Sequence, residues 1–332
     1  SGQLGDGTTT QRNSPVQVGA LSGWDKVAGA VAHTLATKTD GTLWAWGNNA
    51  SGQLGTSNTT NYSSPVQVGA LTTWEKVAGL ADGSYAIKTD GTLWSWGYNS
   101  LGQLGQGNTT SYSSPVQVGA LTTWSKVAAT LYSGVALKTD GTLWTWGYNN
   151  YGQLGTGNTT NYSSPVQVGG LTTWSDVAAG MLHCIAIKTD GSLWTWGYNP
   201  FGQLGLNNTT NRSSPVQVGA LTTWLNVAGG HYNNAAFKTD GTFWMFGYNN
   251  YGQLGQGNTT ANSSPVQVGA LTTWSKTALG NTSTLALKTD GTLWSWGQSD
   301  QGQLGLGNTT SYSSPVQVGS LTTWSKIASG WR

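Results

Sequence analysis

Large apolar side chains recur along this chain in short alternating runs, not in helical stripes. In Thr92-Leu93-Trp94-Ser95-Trp96-Gly97 bulky rings alternate with smaller residues, the period-two signature of a β-strand. This run is designated strand A. A Gly/Asn/Thr/Ser-rich stretch from Tyr98 to Ser114 reads as a loop. Pro115-Val116-Gln117-Val118 reads as strand B, with its proline at a strand start where a missing donor is tolerated. After a turn over 119–123, Trp124 to Ala128 reads as strand C, and Val135-Ala136-Leu137-Lys138 as strand D. Thr139-Asp140-Gly141 then forms a tight Asp-Gly turn back into the next strand A.

The pattern is periodic. Gly-Gln-Leu-Gly begins at Gly2, Gly52, Gly102, Gly152, Gly202, Gly252 and Gly302, always 50 residues apart, and Pro-Val-Gln-Val-Gly also occurs seven times. Four short antiparallel strands per 50 residues, repeated without insertion, predict an all-β fold. The expected architecture is a seven-bladed β-propeller forming a single domain over 1–332, its last repeat incomplete. Ring closure is uneven, since strands B and C occur seven times but D and A only six. A full seventh repeat would run 18 residues further, to 350. The expectation is therefore that the natural chain continues past Arg332 or is completed by residues before Ser1; otherwise unpaired strand edges would be left.

Composition narrows the function. Charged residues make up 8% of the 332 positions, and the 14 basic and 12 acidic side chains nearly cancel. That balance argues against electrostatic nucleic-acid binding. Aromatic content of 11% with a net charge of +2 argues against disorder. Apolar runs are a few residues long, too short for a membrane-spanning helix. The single cysteine, Cys184, leaves no internal disulfide.

Seven internal copies can be compared column by column. The segment joining C to D differs most: Val31-Ala32-His33-Thr34, Ala81-Asp82-Gly83-Ser84, Leu131-Tyr132-Ser133-Gly134, Met181-Leu182-His183-Cys184, His231-Tyr232-Asn233-Asn234 and Asn281-Thr282-Ser283-Thr284, with Trp331-Arg332 in the last copy. A second variable patch, in the A–B loop, includes Leu101, Tyr151, Phe201 and Tyr251. In an up-and-down meander the A–B and C–D connections share one face, and the near-constant B–C and D–A turns share the other. Diversity on one face of a rigid frame fits a binding surface. The expected contact residues are Val31, His33, Asp82, Leu131, Tyr132, Met181, Leu182, His183, His231, Tyr232, Asn233, Asn281, Trp331 and Arg332, joined by Leu101, Tyr151, Phe201 and Tyr251.

No catalytic, cofactor or metal site is expected. The three histidines do not cluster in sequence as metal ligands do, and no repeated acid orients the His183–Cys184 neighbours for nucleophilic catalysis. Twelve of the 26 charged residues lie in six Lys-Thr-Asp-Gly turns, where Asp supports the turn, Gly supplies positive φ and Lys is solvated. The remaining acids are scattered and form no pair for glycoside hydrolysis.

The run Leu143-Trp144-Thr145-Trp146-Gly147 to Tyr151-Gly152-Gln153-Leu154-Gly155, followed by Val177-Ala178-Ala179-Gly180, His183 and Ala186, resembles the regulator of chromosome condensation repeat. The resemblance covers the whole chain and implies a seven-bladed propeller. Its members include a guanine-nucleotide exchange factor, a plant UV-B receptor and a secreted bacterial enzyme inhibitor, so it implies fold more than function. The expected function is a non-enzymatic module that recognises a protein or glycan through the A–B and C–D face. The low charge and near-identical copies resemble bacterial and bacteriophage surface proteins. The expected place is accordingly extracellular, at a cell or virion surface, with a ligand on a host or neighbouring surface and neither nucleic-acid binding nor membrane insertion. The alternative is an assembly or decoration subunit whose variable face packs on neighbours or on itself. Guanine-nucleotide exchange is a weaker reading, because the variable loops are poor in charge.

Overall fold

A computed structural model describes residues 1–330 and contains 24 strands in six four-stranded antiparallel sheets. The first sheet comprises β1 (Trp24–Gly29), β2 (His33–Lys38), β3 (Leu43–Gly47) and β4 (Tyr62–Gln67), paired in that order. The others repeat it at 50-residue intervals: β5–β8 within 74–117, β9–β12 within 124–167, β13–β16 within 174–217, β17–β20 within 224–267 and β21–β24 within 274–317. The first strands β1, β5, β9, β13, β17 and β21 pack side by side around the axis. Each sheet therefore runs from the axis outward as C, D, A, B.

The structure corrects the seven-bladed expectation: there are six blades. Each sheet takes C, D and A from one 50-residue copy and B from the next, so the blade boundary does not coincide with the sequence repeat. One B segment (15–18) and one C segment (324–329) are left over, and neither forms a strand. They flank the place where strands D and A would stand, so they have no ladder to join. They nevertheless hold neighbouring positions. Gly307 N–H donates to the Asn13 carbonyl, as Gly107 does to Ser163, and Lys276 Nζ donates to the Ser325 carbonyl, as Lys76 does to Ser125.

Two strand boundaries also move. Strand B begins three residues before its proline, because the residue opposite Gly97 is Tyr112. The proline is tolerated because this strand is outermost and carries a ladder on one side only. Strand D begins two residues earlier than expected, at Ser133 in the third sheet, which draws half of the C–D segment into the sheet.

Gly-Gln-Leu-Gly is a latch between blades. The Gln53 carbonyl accepts the Trp96 indole N–H (2.9 Å) and the Ser84 hydroxyl (2.8 Å) of the next sheet. Leu54 beside it is fully buried, and a Cβ on Gly55 would lie 2.8 Å from Trp96 Nε1. One copy departs from the pattern. Phe246 has no indole N–H, so the Gln203 carbonyl keeps a single side-chain donor, Asn234 Nδ2 at 2.7 Å, in the place that Thr34, Ser84, Cys184 and Thr284 fill beside an indole. At Gly134, where a Cβ would strike Trp146, the freed space admits the Tyr85 hydroxyl, which donates to the Gln103 carbonyl.

The Lys-Thr-Asp-Gly turns are built as expected around aspartate, with Asp140 Oδ1 accepting from both N–H (2.9 Å) and Oγ1 (2.6 Å) of Thr142. The lysine is only partly solvated, which is a second correction: Lys88 and Lys138 are buried, and Lys38, Lys188, Lys238 and Lys288 half-buried. Lys138 is 8% exposed, with Nζ 3.6 Å above the Trp144 ring and 5.1 Å from Trp124. Burial lowers its pKa below the ordinary lysine value, while the ring faces attract the cation.

Candidate functional site

The C–D segment is the innermost connection of the variable face, and the structure divides it in two. Its first two residues form a surface turn, whereas its third and fourth open strand D. Three expected contact residues are therefore withdrawn from the surface: His33 is 1%, His183 0% and Asn233 1% exposed. Burial lowers the pKa of both histidines to about 4, and His33 Nε2 lies 3.0 Å from Ser84 Oγ. Cys184 is likewise buried, its thiol pushed up by desolvation and its S–H turned to the Gln153 carbonyl at 3.5 Å. A neutral thiol beside a neutral histidine is the opposite of an activated nucleophile. No group of three His, Cys, Asp or Glu among the described residues could hold a metal ion.

The first residues of the turns build a collar around the axis. Ala81 N–H donates to the Leu131 carbonyl (3.3 Å), Leu131 to Met181 (2.8 Å), Met181 to His231 (3.2 Å) and His231 to Gly280 (3.4 Å). The collar uses only the backbone, which explains why the side chain at this column can differ in every copy. The second residue fixes the A–B loop: the Tyr132, Leu182 and Tyr232 carbonyls accept the N–H of Tyr148, Tyr198 and Tyr248, at 2.9–3.0 Å.

These backbone bonds carry a row of rings across the third, fourth and fifth sheets. Tyr132 meets Tyr148 (6.3 Å between centroids), Tyr148 meets Tyr151 (6.3 Å), Tyr151 meets Tyr198 (4.7 Å) and Tyr198 meets Tyr232 (6.0 Å). Phe201 joins Tyr232 (4.9 Å) to Tyr248 (5.0 Å), Tyr248 reaches Tyr251 (6.3 Å), and His231 lies edge-on to Tyr232 (4.3 Å). Most pairs are edge-to-face or tilted, the favoured aromatic geometries. Tyr151 and Tyr251 are exposed and the other rings half-buried, so the band is both anchored and accessible. Burial raises the Tyr148 and Tyr232 pKa values, so these hydroxyls stay neutral donors and acceptors.

Of the expected residues, Tyr132, Tyr151, Phe201, His231, Tyr232 and Tyr251 thus come together in one band, with Leu131, Met181 and Leu182 in the adjoining turns. Val31, Asp82 and Asn281 occupy the same turn in the first, second and sixth sheets, and half-buried Leu101 holds the Tyr151 position in the second. Trp331 and Arg332 lie outside the described residues. Tyr148, Tyr198 and Tyr248 were missed in the sequence. The signal was present in the column Asn48, Tyr98, Tyr148, Tyr198, Tyr248, Gln298, which directly follows strand A.

Charge separates the two faces. Among the described residues the A–B and C–D connections and their margins hold only Asp6, Arg12, Asp82, Arg212 and Asp300, and Asp6 is paired with Arg12 at 2.7 Å. All eleven lysines sit toward the other end of the ring, in the Lys-Thr-Asp-Gly turns, one residue past the bulge that opens the inner strands, or, for Lys326, at the matching position of segment 324–329.

The RCC1-like domain model matches residues 120–332, and the regulator of chromosome condensation (RCC1) repeat model matches 40–87 and 90–137. The chain belongs to the RCC1-like domain family. Within that family the fold is shared at low sequence identity. Human WBSCR16 superposes with a TM-score of 0.84 at 23% identity, over 93% of this chain and 84% of the other. Prp20p of Saccharomyces cerevisiae, described with its binding to Gsp1p and histones, gives 0.84 at 21%, over 96% and 84%. Yeast RCC1 (Prp20) bound to Kap60 gives 0.79 at 21%, over 90% and 75%. No curated protein sequence matches the chain. These RCC1-like relatives correct the expected location. Histone binding belongs to the cell interior, and such neighbours point away from an extracellular or virion surface.

Proposed function

We propose that this chain is a single-domain propeller that binds a protein partner through its variable face, and that the tyrosine band is the recognition surface. The carrying observation is the unbroken run of ring contacts from Tyr132 to Tyr251 on a face with few charges. Tyrosine combines a large rigid contact area with a polar tip at low entropic cost, and is enriched where binding energy concentrates. The rings are already packed against one another, so little ordering remains to be done on binding. Protein-binding relatives favour a protein over a glycan as the ligand. The poverty of charge disfavours nucleic acid, and leaves few acidic and basic contacts of the kind guanine-nucleotide exchange would require.

The test uses a variant carrying Tyr148→Ser, Tyr151→Ser, Tyr198→Ser, Phe201→Ser, Tyr232→Ser and Tyr248→Ser. Wild type and variant are compared on a protein array and a glycan array, with unfolding midpoints measured in parallel. Loss of protein partners by a folded variant is expected. Partners retained by the variant, or glycan signals alone, would overturn the reading. Concentration-dependent dimerisation abolished by the same changes would favour the assembly alternative.

A further inference from the structure

Seven inner segments surround the axis, although only six of them head a sheet. The seventh, 324–329, closes the inner ring between β21 and β1. A Cβ on Gly29 would lie 2.6 Å from the Ser329 carbonyl oxygen, and one on Gly280 would lie 2.8 Å from Ser329 Oγ. The third residue of the seven segments reads Lys26, Lys76, Lys126, Asp176, Asn226, Lys276 and Lys326. Five lysines therefore stand on five consecutive segments, from 276 through 326 and 26 to 126. They follow the bulge that opens the inner strands, which places them at the mouth of the axis on the constant face.

A cavity of about 470 Å³ opens among them. Its wall holds all five lysines but a single carboxylate, Asp25, over an apolar floor that includes Val27, Val77, Val127 and Ile327. Asp25 Oδ1 accepts from Lys26 Nζ at 3.4 Å and from Lys326 Nζ at 2.5 Å. The other three lysines reach toward the next segment round the ring. Lys76 Nζ donates to the Ser125 carbonyl (2.6 Å), with Glu75 Oε1 at 3.4 Å, Lys276 Nζ donates to the Ser325 carbonyl (2.7 Å), and Lys126 pairs with Asp176. Such contacts stitch the ring together, but each uses only part of an ammonium group that carries three donors. All five lysines remain exposed or half-buried.

One copy shows how this ring holds an anion. Asp176 stands where five other copies have lysine. Its carboxylate accepts from Lys126 on the preceding segment and, through Oδ2, from the Val227 N–H on the following one at 3.3 Å. Inner strands carry a ladder on one side only, so their outward N–H groups can meet such an acceptor.

We propose that this cavity binds a small polyanion carrying several phosphate groups, held by Lys76, Lys126 and Lys276 and supported by Lys26 and Lys326. Five ammonium groups against one carboxylate exclude a cation and exceed what a single phosphate could match. Ammonium groups act as point-charge donors suited to phosphate oxygens. The cavity has the size of a small-molecule site and admits no folded partner. Its place at the axis, on the face opposite the tyrosine band, makes it independent of the protein-binding reading.

The experiment titrates inorganic tripolyphosphate, ATP and inositol hexakisphosphate into the full chain by calorimetry, with sulfate as the comparison anion. One-to-one binding of tripolyphosphate at about 10 μM or tighter in about 50 mM salt is expected, and the tightest of the three phosphate compounds names the source of the phosphates. Lys76→Gln with Lys276→Gln should weaken binding at least about tenfold, and Lys76→Arg with Lys276→Arg should retain it. Lys238→Gln with Lys288→Gln, which removes equal charge from the turns, should leave affinity within about twofold. Asp25→Asn releases Lys26 and Lys326 to the ligand and should tighten binding about threefold or more. Lysines that only stitch the ring predict no gain from that change, so it decides the matter even where the double Gln variant fails to unfold cooperatively. No binding, equal affinity for sulfate, or no gain from Asp25→Asn overturns the proposal.

Discussion

Asn234→Ala tests the latch, because without the indole at 246 Asn234 is the one side-chain donor to the Gln203 carbonyl, where the other copies have two. The Gln203 carbonyl is held between sheets and would lose its side-chain donor. An unsatisfied buried acceptor costs about 1–3 kcal/mol. Unfolding a chain of this length carries an entropy of roughly 0.7 kcal/mol/K, so a loss of about 2 kcal/mol lowers the unfolding midpoint by about 3 °C. The decisive variant is the double substitution Asn234→Ala with Phe246→Trp, which restores the indole donor found at Trp96, Trp146, Trp196 and Trp296. It should recover most of the loss, and Phe246→Trp alone should be close to neutral. Urea unfolding and calorimetric scans of the four proteins form a double-mutant cycle. Additive effects, with no rescue by the new indole, would refute the claim that the two positions donate to the same carbonyl.

His33 and His183 are buried neutral, with pKa values near 4 against 6.5 when free. Protonation therefore favours the unfolded chain. Their contribution is complete above pH 6.5 and falls away between 6.5 and 4, by about 3 kcal/mol per histidine; Asn at both positions should flatten the pH dependence of the urea midpoint in that window. Gly141→Ala forces a side chain onto φ of 76°, with its Cβ 2.3 Å from the Thr172 carbonyl oxygen. It should cost about 1–3 kcal/mol, read as a lower urea midpoint, whereas the same change at Gly119, which has open space but a similar φ, should cost less.

The repeat, the four strands and the division into a diverse and a constant face could be read from the residues, because period-two alternation and invariant turns are local. The blade count could not. Pairing, not sequence period, decides where a sheet begins, and outer strand β4 is borrowed from the next copy. Half of each C–D segment shared this fate. His183 and Asn233 vary like loop residues, yet the strand opens two positions earlier than its alternation suggests, so their variation is variation of the core. The exchange of Trp for Phe246 stands out in its column, but that it leaves Asn234 as the one side-chain donor to the Gln203 carbonyl needs the 2.7 Å bond to be seen. The tyrosines at 148, 198 and 248 were legible as a column. What joins them to the C–D turns is a backbone hydrogen bond that no side-chain pattern records.

The central claim, that the tyrosine band is where a protein partner docks, is tested most directly by site-specific photo-cross-linking. A photoreactive phenylalanine analogue is placed at Tyr148, Tyr198 or Tyr248, and, on the opposite face, at Leu121 or Leu171, which are 47% and 48% exposed. After irradiation in cells of the source organism, the account predicts one discrete protein adduct from the three band positions and none from the two leucines. An adduct from the leucine positions with none from the band would contradict it.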